Sequence, residues 1–400
     1  MDGEPIQMKH TIKEEKMKRT VLIGLAVLIA LAMLAGCAAP QASAPEGTTT
    51  AETQESASQG EAAETSFAST LEGKGVKEDG TPYKVGLMYT DLESEYIIWQ
   101  EEYCKYLLEA AGCEVNVVNT HGNTAEESDA IDDFIEAGYD FVITTSVSSD
   151  DIANFQKLTD AGIEYICVSH GINGGSPALV AMTSDPIATG EACMQYLVDQ
   201  IPDGEQISVI SCQGYMGSED AANREIGFQN IVEQNQDKIS SYKEYPCDWT
   251  STKAEAAVVD ELTVNPELGG IVYHSDAMNA GVKSGLAQSG KLAKTGEEGH
   301  ILWCGIDGGP AALASIRDGY MDCVIQMNPL KNATACVKAI LEYLIPGKEL
   351  PVDEVVIATD TITAENVDSG DWWGDYDIEN VNRGIEWAST ADYWNNECPF

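Results

Sequence analysis

Basic residues are scarce in this chain. Its 400 residues include 22 Lys and Arg against 66 Asp and Glu, which gives a formal net charge of −44 at pH 7. Phosphate backbones repel such a surface, so the composition excludes a protein that binds DNA or RNA. Hydrophobic residues make up 44% of the chain. That is enough to bury the cores of two ordinary domains, so general disorder is excluded as well.

Motifs of enzymes and metal sites are also missing. The sequence contains no GxSxG, HExxH or P-loop pattern, and its cysteines lack the paired CxxC spacing of zinc and thioredoxin-like sites. The Gly-Gly-Pro turn at 308–310 is too short for a dinucleotide-binding fingerprint. Asp371 and Asp375 could mimic a glycosidase carboxylate pair, but they belong to an acidic, aromatic extension, 367–400, that we expect to pack on a lobe. We therefore predict a binding protein with no catalytic residue, no cofactor and no metal ion.

One stretch alone is apolar enough to meet a membrane. Residues 21–34 are uncharged and apolar, and Lys16, Lys18 and Arg19 precede them. A run of 14 residues is short for a bilayer span of about 20 and is typical of a signal peptide. It ends in Leu-Ala-Gly before Cys37, which resembles the lipobox of bacterial lipoproteins. We predict a signal peptide over 1–36 and a lipid anchor on Cys37, with an ordinary secretory signal or a short anchor helix as the alternatives.

The segment after this cysteine is poor in large apolar side chains. Residues 38–80 consist mainly of Ala, Ser, Thr, Gln, Glu and Gly, with Phe67 and Leu71 as exceptions. Such a segment buries too little surface to offset its chain entropy, and its glutamates repel one another. The sequence therefore predicts a lipidated, disordered acidic tether over 37–80, on the outer face of the cell membrane.

The ten cysteines beyond the anchor suggest buried thiols rather than a disulfide framework. Most of them fall inside apolar strand or helix patterns, where a free cysteine behaves as a small hydrophobe. They are Cys104, Cys113, Cys167, Cys193, Cys212, Cys247, Cys304, Cys323, Cys336 and Cys398.

From residue 83 onward, strand and helix patterns alternate. Stretches of helical period, such as 96–111 and 150–161, separate short apolar runs. Continuous apolar runs that alternate with helices indicate parallel strands buried on both faces. Five runs in each of two series predict an α/β protein with two doubly wound, Rossmann-like lobes; an eight-fold barrel is the alternative. The runs are 83–89, 114–119, 141–144, 165–168 and 178–182, then 206–211, 242–245, 270–273, 300–305 and 322–326.

Polar and aromatic side chains follow many of these runs. Ligands of open parallel sheets bind beyond the carboxyl ends of the strands, where these side chains meet. Aromatic rings together with Asp, Gln, His, Ser and an arginine suit a small polyhydroxylated molecule. Any one of them, however, is also a candidate helix cap. The set comprises Tyr96, Trp99, Ser169, His170, Arg224, Trp249, Ser275, Asp276, Asp307 and Gln326.

Several stretches then carry a family resemblance. They include GSEDAANREIGF at 217–228, DWTSTKA at 248–254, GIVYHSDAMNAG at 270–281 and GIDGGP at 305–310. From residue 83 to about 345 the chain resembles the ribose-type periplasmic sugar-binding proteins, the substrate receptors of carbohydrate ABC importers. The resemblance implies the type I fold, with a monomer that delivers its ligand to a permease and an ATPase.

The same resemblance implies a hinge of three crossings, near 184–185, 326–327 and 358–359. It places residues 81–184 and 327–358 in an N-terminal lobe, and 185–326 and 359–366 in a C-terminal lobe. Closure of the two lobes would bury the ligand.

The site residues are carried over one at a time. Arg224 matches the family's sugar-binding arginine and Asp307 its acceptor for paired hydroxyls. Gln326 matches the polar residue of the last hinge strand. Trp249 matches the aromatic of the second lobe, and Tyr96, with Trp99 nearby, a first-lobe aromatic.

Three departures from the family pattern put ribose itself in question. Ser169-His170 stands where an Asp-Arg pair is common, Ser275 precedes Asp276 where an Asn is common, and Ile97 replaces an aromatic. A polyol or a furanose-like signal molecule is therefore the alternative ligand. Delivery of a signal to a sensory kinase or chemoreceptor is the alternative to transport.

Overall fold

The computed structural model describes residues 66–400, apart from 91, 93, 170 and 377–385. The predicted signal peptide, the Cys37 anchor, most of the predicted tether and His170 lie outside the described residues.

Twelve strands in the described residues form two six-stranded sheets. The N-terminal sheet contains β1 Lys84–Tyr89, β2 Glu114–Asn119, β3 Phe141–Thr144, β4 Glu164–Val168, β5 Leu179–Met182 and β11 Glu354–Val356. The C-terminal sheet contains β6 Ile207–Gln213, β7 Ile239–Pro246, β8 Leu268–Tyr273, β9 Leu302–Asp307, β10 Cys323–Gln326 and β12 Asp360–Thr363. Their orders are β11-β5-β4-β3-β1-β2 and β12-β10-β9-β8-β6-β7, and every pairing is parallel except that of β10 with β12.

Helices connect the parallel strands of each lobe. The N-terminal lobe carries α1 Glu95–Ala110, α2 Thr124–Glu136, α3 Ile152–Ala161 and α9 Pro329–Lys338, and the C-terminal lobe carries α4 Pro186–Asp199, α5 Glu219–Gln234, α6 Ser251–Val264, α7 Asn279–Gln288 and α8 Pro310–Arg317. Shorter helical segments lie at Ala68–Leu71, Asp276–Met278, Ala339–Leu344, Trp373–Asp375, Thr390–Asp392 and Tyr393–Glu397. None of the helices among the described residues has the length and apolarity that a membrane crossing requires.

The predicted fold class is confirmed, and the two separate sheets exclude the eight-fold barrel. Strands β2 and β3 have the predicted bounds, and the other predicted runs differ from their strands by up to three residues at an end. The prediction of five strands in each sheet was wrong, because each sheet has six. The additional strands, β11 and β12, have three and four residues and only one buried residue each, so they lack the apolar run that marks the others.

The chain crosses between the sheets at three places, after β5, after β10 and between β11 and β12. At the first two, a capped helix begins directly in the opposite lobe. Asp185 Oδ1 accepts hydrogen bonds from the amides of residues 187 and 188, and Asn328 Oδ1 accepts them from residues 330 and 331. Pro186 and Pro329 follow these caps at the first helical position, where a missing N–H is tolerated. The exact limits of the two lobes stay a prediction.

The folded region begins earlier than the sequence predicts. Residues 66–80, expected to belong to the tether, pack against the N-terminal lobe, with Leu71 fully buried. The Gly75 amide also donates to the carbonyl of Ala111 at 2.8 Å. The apolar exceptions Phe67 and Leu71 account for this difference, because they give the segment a surface to bury.

The ten cysteines are buried, as predicted, and no disulfide joins any two of them in the described part of the chain. Burial raises the pKa of the Cys104, Cys113 and Cys167 thiols to about 12. These three thiols are therefore protonated at neutral pH and unreactive.

Candidate functional site

Arg224 lies on α5, which follows β6, and its guanidinium is buried at the meeting of the two lobes. Its Nη1 donates to the carbonyl oxygen of His274 at 2.5 Å, and its Nη2 lies 3.3 Å from the sulfur of Met327. The same Nη1 is 4.0 Å from Asp307 Oδ1, and the Trp249 ring lies 5.6 Å from the guanidinium carbon. Its Nε has no hydrogen-bond partner among the described residues.

Close packing of α4 against α5 fixes this arginine in place. Gly190 of α4 faces the main-chain carbonyl of Arg224, and a Cβ at position 190 would clash with that oxygen. Gly227 faces the carbonyl of Ile187 in the same way from the other helix. Two glycines thus allow the helix backbones to touch, and their contact sets where α5 presents its arginine.

Asp307 ends β9 and offers the main carboxylate of the cluster. Its φ of 121° lies in a region that side chains rarely adopt, so the surrounding contacts hold a strained backbone there. Its Oδ2 accepts hydrogen bonds from Ser275 Oγ at 2.6 Å and from the Asp276 amide at 3.1 Å. Oδ1 faces Arg224, so the carboxylate and guanidinium together offer acceptors and donors to one ligand.

A second carboxyl, that of the half-buried Asp276, lies beside the first. Asp276 accepts a hydrogen bond from the Tyr273 hydroxyl at 2.7 Å and one from the Gly309 amide at 2.7 Å. Burial and the negative charge of Asp307 raise the pKa of Asp276 well above its usual range. Burial also raises the pKa of Asp307 to about 6, although the charge of Arg224 opposes the increase.

His274 accepts a hydrogen bond from Arg224 through its main-chain carbonyl, and its ring makes two further hydrogen bonds. Its Nδ1 accepts a hydrogen bond from the Gly214 amide at 3.1 Å, so its Nε2 carries the proton and donates to Glu225 Oε2 at 3.0 Å. Burial lowers the pKa of His274, which keeps the ring neutral. Both ring nitrogens are thus engaged, and within the described residues no group of three His, Cys, Asp or Glu side chains is arranged to hold a metal ion.

Aromatic rings come from both lobes. Tyr96, near the start of α1, is 7% exposed, and its ring meets that of Trp373 edge to face, with 5.9 Å between the centroids. Trp249 covers Arg224 and His274 from the C-terminal lobe, with a φ of 62°. Trp99 is buried in the apolar core, and no ring contact or hydrogen bond among the described residues joins it to this cluster.

Three buried polar atoms at the junction have no hydrogen-bond partner in the described part of the chain. They are Tyr96 Oη, Arg224 Nε and Gln326 Oε1. Gln326 is 2% exposed and ends β10, and its Nε2 donates to Asp360 Oδ2 at 3.4 Å. An unpaired buried polar atom costs about 1–3 kcal/mol, so three of them around one charge pair indicate a place for a polar ligand.

Ser169 lies apart from this cluster. Its φ is 71°, and it lines a cavity of about 280 Å³ between the end of β4 and the first turn of α5. Asp185, Glu219, Asp220 and Glu354 also line this cavity, which is therefore acidic.

The structure thus brings seven of the ten predicted site residues together: Tyr96, Arg224, Trp249, Ser275, Asp276, Asp307 and Gln326. Trp99 lies in the core, Ser169 lines the neighbouring cavity and His170 is outside the described residues. Sequence reasoning missed Trp373, whose Nε1 donates to the main-chain carbonyl of Asp307 at 2.9 Å.

The fold and cluster define a two-lobed binding protein of the periplasmic type. Residues 85–349 match the family described as periplasmic binding protein domain, and the chain belongs to that family. The resemblance to its ribose-type members is confirmed.

The ribose import binding protein RbsB of Bacillus subtilis is 23% identical over 249 residues, which cover 62% of this chain and 77% of the relative. Two solved structures share the fold. The ABC transporter periplasmic solute binding protein from Actinobacillus succinogenes with bound D-allose is 22% identical, with a TM-score of 0.63 over 72% of this chain and all of its own. The ABC transporter solute binding protein from Bacillus halodurans with bound myo-inositol is 19% identical, with a TM-score of 0.63 over 72% of this chain and 96% of its own.

Proposed function

We propose that this chain is the extracytoplasmic substrate-binding lipoprotein of an ABC importer and that it captures a small sugar, a pentose or a hexose. The observation that carries the proposal is the Arg224–Asp307 pair, which the C-terminal lobe presents where the two lobes meet. Three buried polar atoms in this cluster, one of them Arg224 Nε, have no hydrogen-bond partner among the described residues. Relatives and structural neighbours that bind ribose and D-allose support it.

The cluster suits a sugar chemically. A guanidinium donates to two ring hydroxyls at once, and a carboxylate accepts from adjacent hydroxyls. The C–H faces of a sugar ring pack on aromatic rings such as Trp249 and Tyr96. Ser275, Asp276 and Gln326 complete the polar lining from the ends of neighbouring strands.

Hinge closure is the proposed mechanism. The lobes turn about the three crossings, bury the ligand and remove water, which strengthens the hydrogen bonds to Arg224 and Asp307. The closed form then docks on the membrane permease, and ATP hydrolysis by the partner ATPase drives release. We expect a monomer that catalyses no covalent chemistry.

The lipid on Cys37 is the proposed anchor to the outer face of the membrane. Substitution Cys37→Ser removes the thiol that carries the lipid, so metabolic labelling with a radioactive fatty acid should label the unaltered protein and not this variant. A Cys398→Ser variant is the matched control and should be labelled like the unaltered protein. Equal labelling of the Cys37→Ser protein would overturn the lipoprotein proposal.

Isothermal titration of the full chain, purified in mild detergent, tests the ligand proposal. The panel contains pentoses, hexoses, furanose-forming sugars and polyols. Saturable binding of one sugar, lost in Arg224→Ala and kept in Lys283→Ala, supports the proposal, because Lys283 pairs with Asp318 on the surface. No binding by any sugar of the panel would overturn it.

A polyol is the second candidate ligand, and the surroundings of Ser169 favour it. The cavity beside Ser169 is lined by four carboxylates and contains no basic side chain among its described lining residues. A neutral polyol presents hydroxyl donors to such a surface, and the neighbour with bound myo-inositol shows that the fold accommodates one. Binding of myo-inositol in preference to every sugar would favour the polyol as the ligand.

A further inference from the structure

The C-terminal extension, residues 367–400, lies beyond the family match, which ends at residue 349. The sequence predicts that it packs on one lobe. In the structure, its described parts, 367–376 and 386–400, contact different lobes, and a tryptophan of the first part reaches the ligand cluster.

The first part is fixed to the C-terminal lobe. Arg317 at the end of α8 forms a two-point ion pair with Asp375, at 2.6 and 2.8 Å, and contacts Asp368 at 2.9 Å. Gly374 packs against the turn that follows β9. A Cβ added to Gly374 would be only 2.5 Å from the carbonyl oxygen of Gly308 in that turn. The extension therefore approaches the backbone that positions Asp307 as closely as a glycine allows.

The second part is fixed to the N-terminal lobe. Glu386 accepts hydrogen bonds from the amides of Phe67 and Ala68. Lys338 at the end of α9 donates to the carbonyl of Trp394 at 2.5 Å, and Trp394 Nε1 donates to Glu342 Oε1 at 3.0 Å. Trp394 is 3% exposed, so apolar burial adds to these bonds.

Trp373, in the first part of the extension, contacts both lobes where they meet. It is 1% exposed, its Nε1 is bound to the Asp307 carbonyl and its ring touches Tyr96 of the opposite lobe. Rings in edge-to-face contact leave no room for a sugar between them, so Trp373 and Tyr96 form one aromatic corner. The hydroxyl of Tyr96, which has Thr183 nearby but no hydrogen-bond partner within bonding geometry among the described residues, belongs to this corner.

We propose that Trp373 is a ligand-contacting and specificity-determining residue, so that the extension supplies one wall of the cleft. This inference rests on the proposed function for the nature of the ligand, but the contact of Trp373 with the opposite lobe does not depend on it. Loss of the wall should weaken ring-shaped ligands more than open-chain ones such as glycerol, which offer no flat face.

The test uses the full chain and compares Trp373→Ala with Trp372→Ala. Trp372 is the matched control because its Nε1 bonds to Val367 within the extension, and none of its described contacts reaches Tyr96 or Asp307. We expect Trp373→Ala to weaken binding of the cognate ring-shaped ligand at least tenfold by calorimetry, and Trp372→Ala to stay within twofold. Trp373→Phe, which keeps an apolar ring, should lose about threefold. Binding of Trp373→Ala within twofold of the unaltered chain, or tighter, overturns the proposal.

Fluorescence supplies a readout that needs no ligand. The emission of Trp373, obtained as the difference between the unaltered chain and Trp373→Phe, should be protected from acrylamide and become quenchable in Tyr96→Ala. Unchanged protection in Tyr96→Ala overturns the placement of Trp373 against the opposite lobe. If the unaltered chain binds no panel ligand, the proposed function fails, whereas this quenching result still decides whether Trp373 packs against the opposite lobe.

Discussion

The two sides of the cleft are built differently. The C-terminal lobe contributes Arg224 from α5, Asp307 from the end of β9 and Asp276 from the short helical segment after β8, and hydrogen bonds tie their backbones and side chains together. The N-terminal lobe contributes the ring of Tyr96 and, at a neighbouring cavity, Ser169.

This asymmetry indicates a division of labour. A network fixed before the ligand arrives loses little conformational entropy on binding, so the C-terminal side is suited to supply most of the affinity. The N-terminal side contributes the Tyr96 hydroxyl, which has no hydrogen-bond partner in the described part of the chain, and one ring of the aromatic corner. It is suited to cover the ligand on closure and to adjust selectivity. Four measurements, taken from the largest expected effect to the smallest, test this comparison.

Removal of the arginine should have the largest effect. Arg224→Ala deletes a buried donor to the ligand, and hydrogen bonds to charged groups contribute about 1.5–3 kcal/mol each. Loss of two such bonds predicts an affinity at least about 100-fold weaker by calorimetry. Arg224→Lys keeps the charge but loses the planar fork, so its affinity should lie between that of the unaltered chain and that of Arg224→Ala. A loss below tenfold in Arg224→Ala would contradict the leading role of the C-terminal side.

Overpacking of the α4–α5 contact that positions Arg224 should have the second-largest effect. Gly190→Ala places a methyl against the Arg224 carbonyl, so α5 has to shift. We expect the free energy of unfolding to fall by about 1–3 kcal/mol in chemical denaturation, as for other overpacked sites. Ligand affinity should fall with it, by roughly tenfold, since a shift of one ångström misplaces the guanidinium.

Gly171→Ala is the control on the other lobe. Its added Cβ would meet a movable methyl of Val180 at 3.2 Å rather than a main-chain atom. Both stability and affinity should therefore change little. Equal effects at positions 171 and 190 would show that the α4–α5 contact has no special part in placing Arg224.

The pH dependence should be intermediate in size. Burial raises the pKa of Asp307 to about 6, so the ionised form that accepts ligand hydroxyls is lost below that pH. Affinity should increase about tenfold from pH 5 to pH 7 in calorimetric titrations. Stability of the ligand-free protein should change in the opposite direction. Because the folded state holds the proton more tightly than the unfolded chain, the free energy of unfolding falls by about 3 kcal/mol in total as pH rises from about 3 to 7, through the unfolded and folded pKa values.

Asp307→Asn should remove the pH dependence of both quantities in this range. The pKa of the neighbouring Asp276 is raised as well, so an Asp276→Asn variant separates its contribution. Affinity that is independent of pH in the unaltered chain would contradict an ionised Asp307 as the acceptor.

Much of the C-terminal side of the cluster could be predicted from the sequence. Asp307 and Gln326 end buried apolar strands, Ser275 and Asp276 follow directly after another, and parallel topology brings such ends to one edge. Arg224 lies within α5 and Trp249 follows the mostly exposed β7, so the family resemblance was needed to identify their roles. Trp373 could not be found in this way, because it is 66 positions from the Asp307 carbonyl that it contacts and no periodic pattern connects them. A related limit applies to Trp99, whose predicted part in the site stays a prediction. Helical spacing sets it three residues from Tyr96, but only packing decides which aromatic ring of α1 faces the cleft.

The smallest change should come from the hydroxyl of Tyr96 on the N-terminal side. Tyr96→Phe deletes a buried Oη that has no hydrogen-bond partner among the described residues, so the ligand-free protein should be as stable as before or up to about 1 kcal/mol more stable. If a ligand hydroxyl partners that Oη on closure, affinity should fall about three- to fivefold.

Tyr103→Phe is the matched control on the same helix. The hydroxyl of Tyr103 is hydrogen-bonded to Thr390 of the C-terminal extension, so its removal should lower the free energy of unfolding by about 1 kcal/mol and leave affinity unchanged. Thermal unfolding and calorimetry on both variants therefore give opposite patterns if the two hydroxyls serve ligand and fold respectively. If Tyr96→Phe, like Tyr103→Phe, lowers the free energy of unfolding and leaves affinity unchanged, the N-terminal side contributes packing alone. The C-terminal side would then supply all of the polar contacts to the ligand.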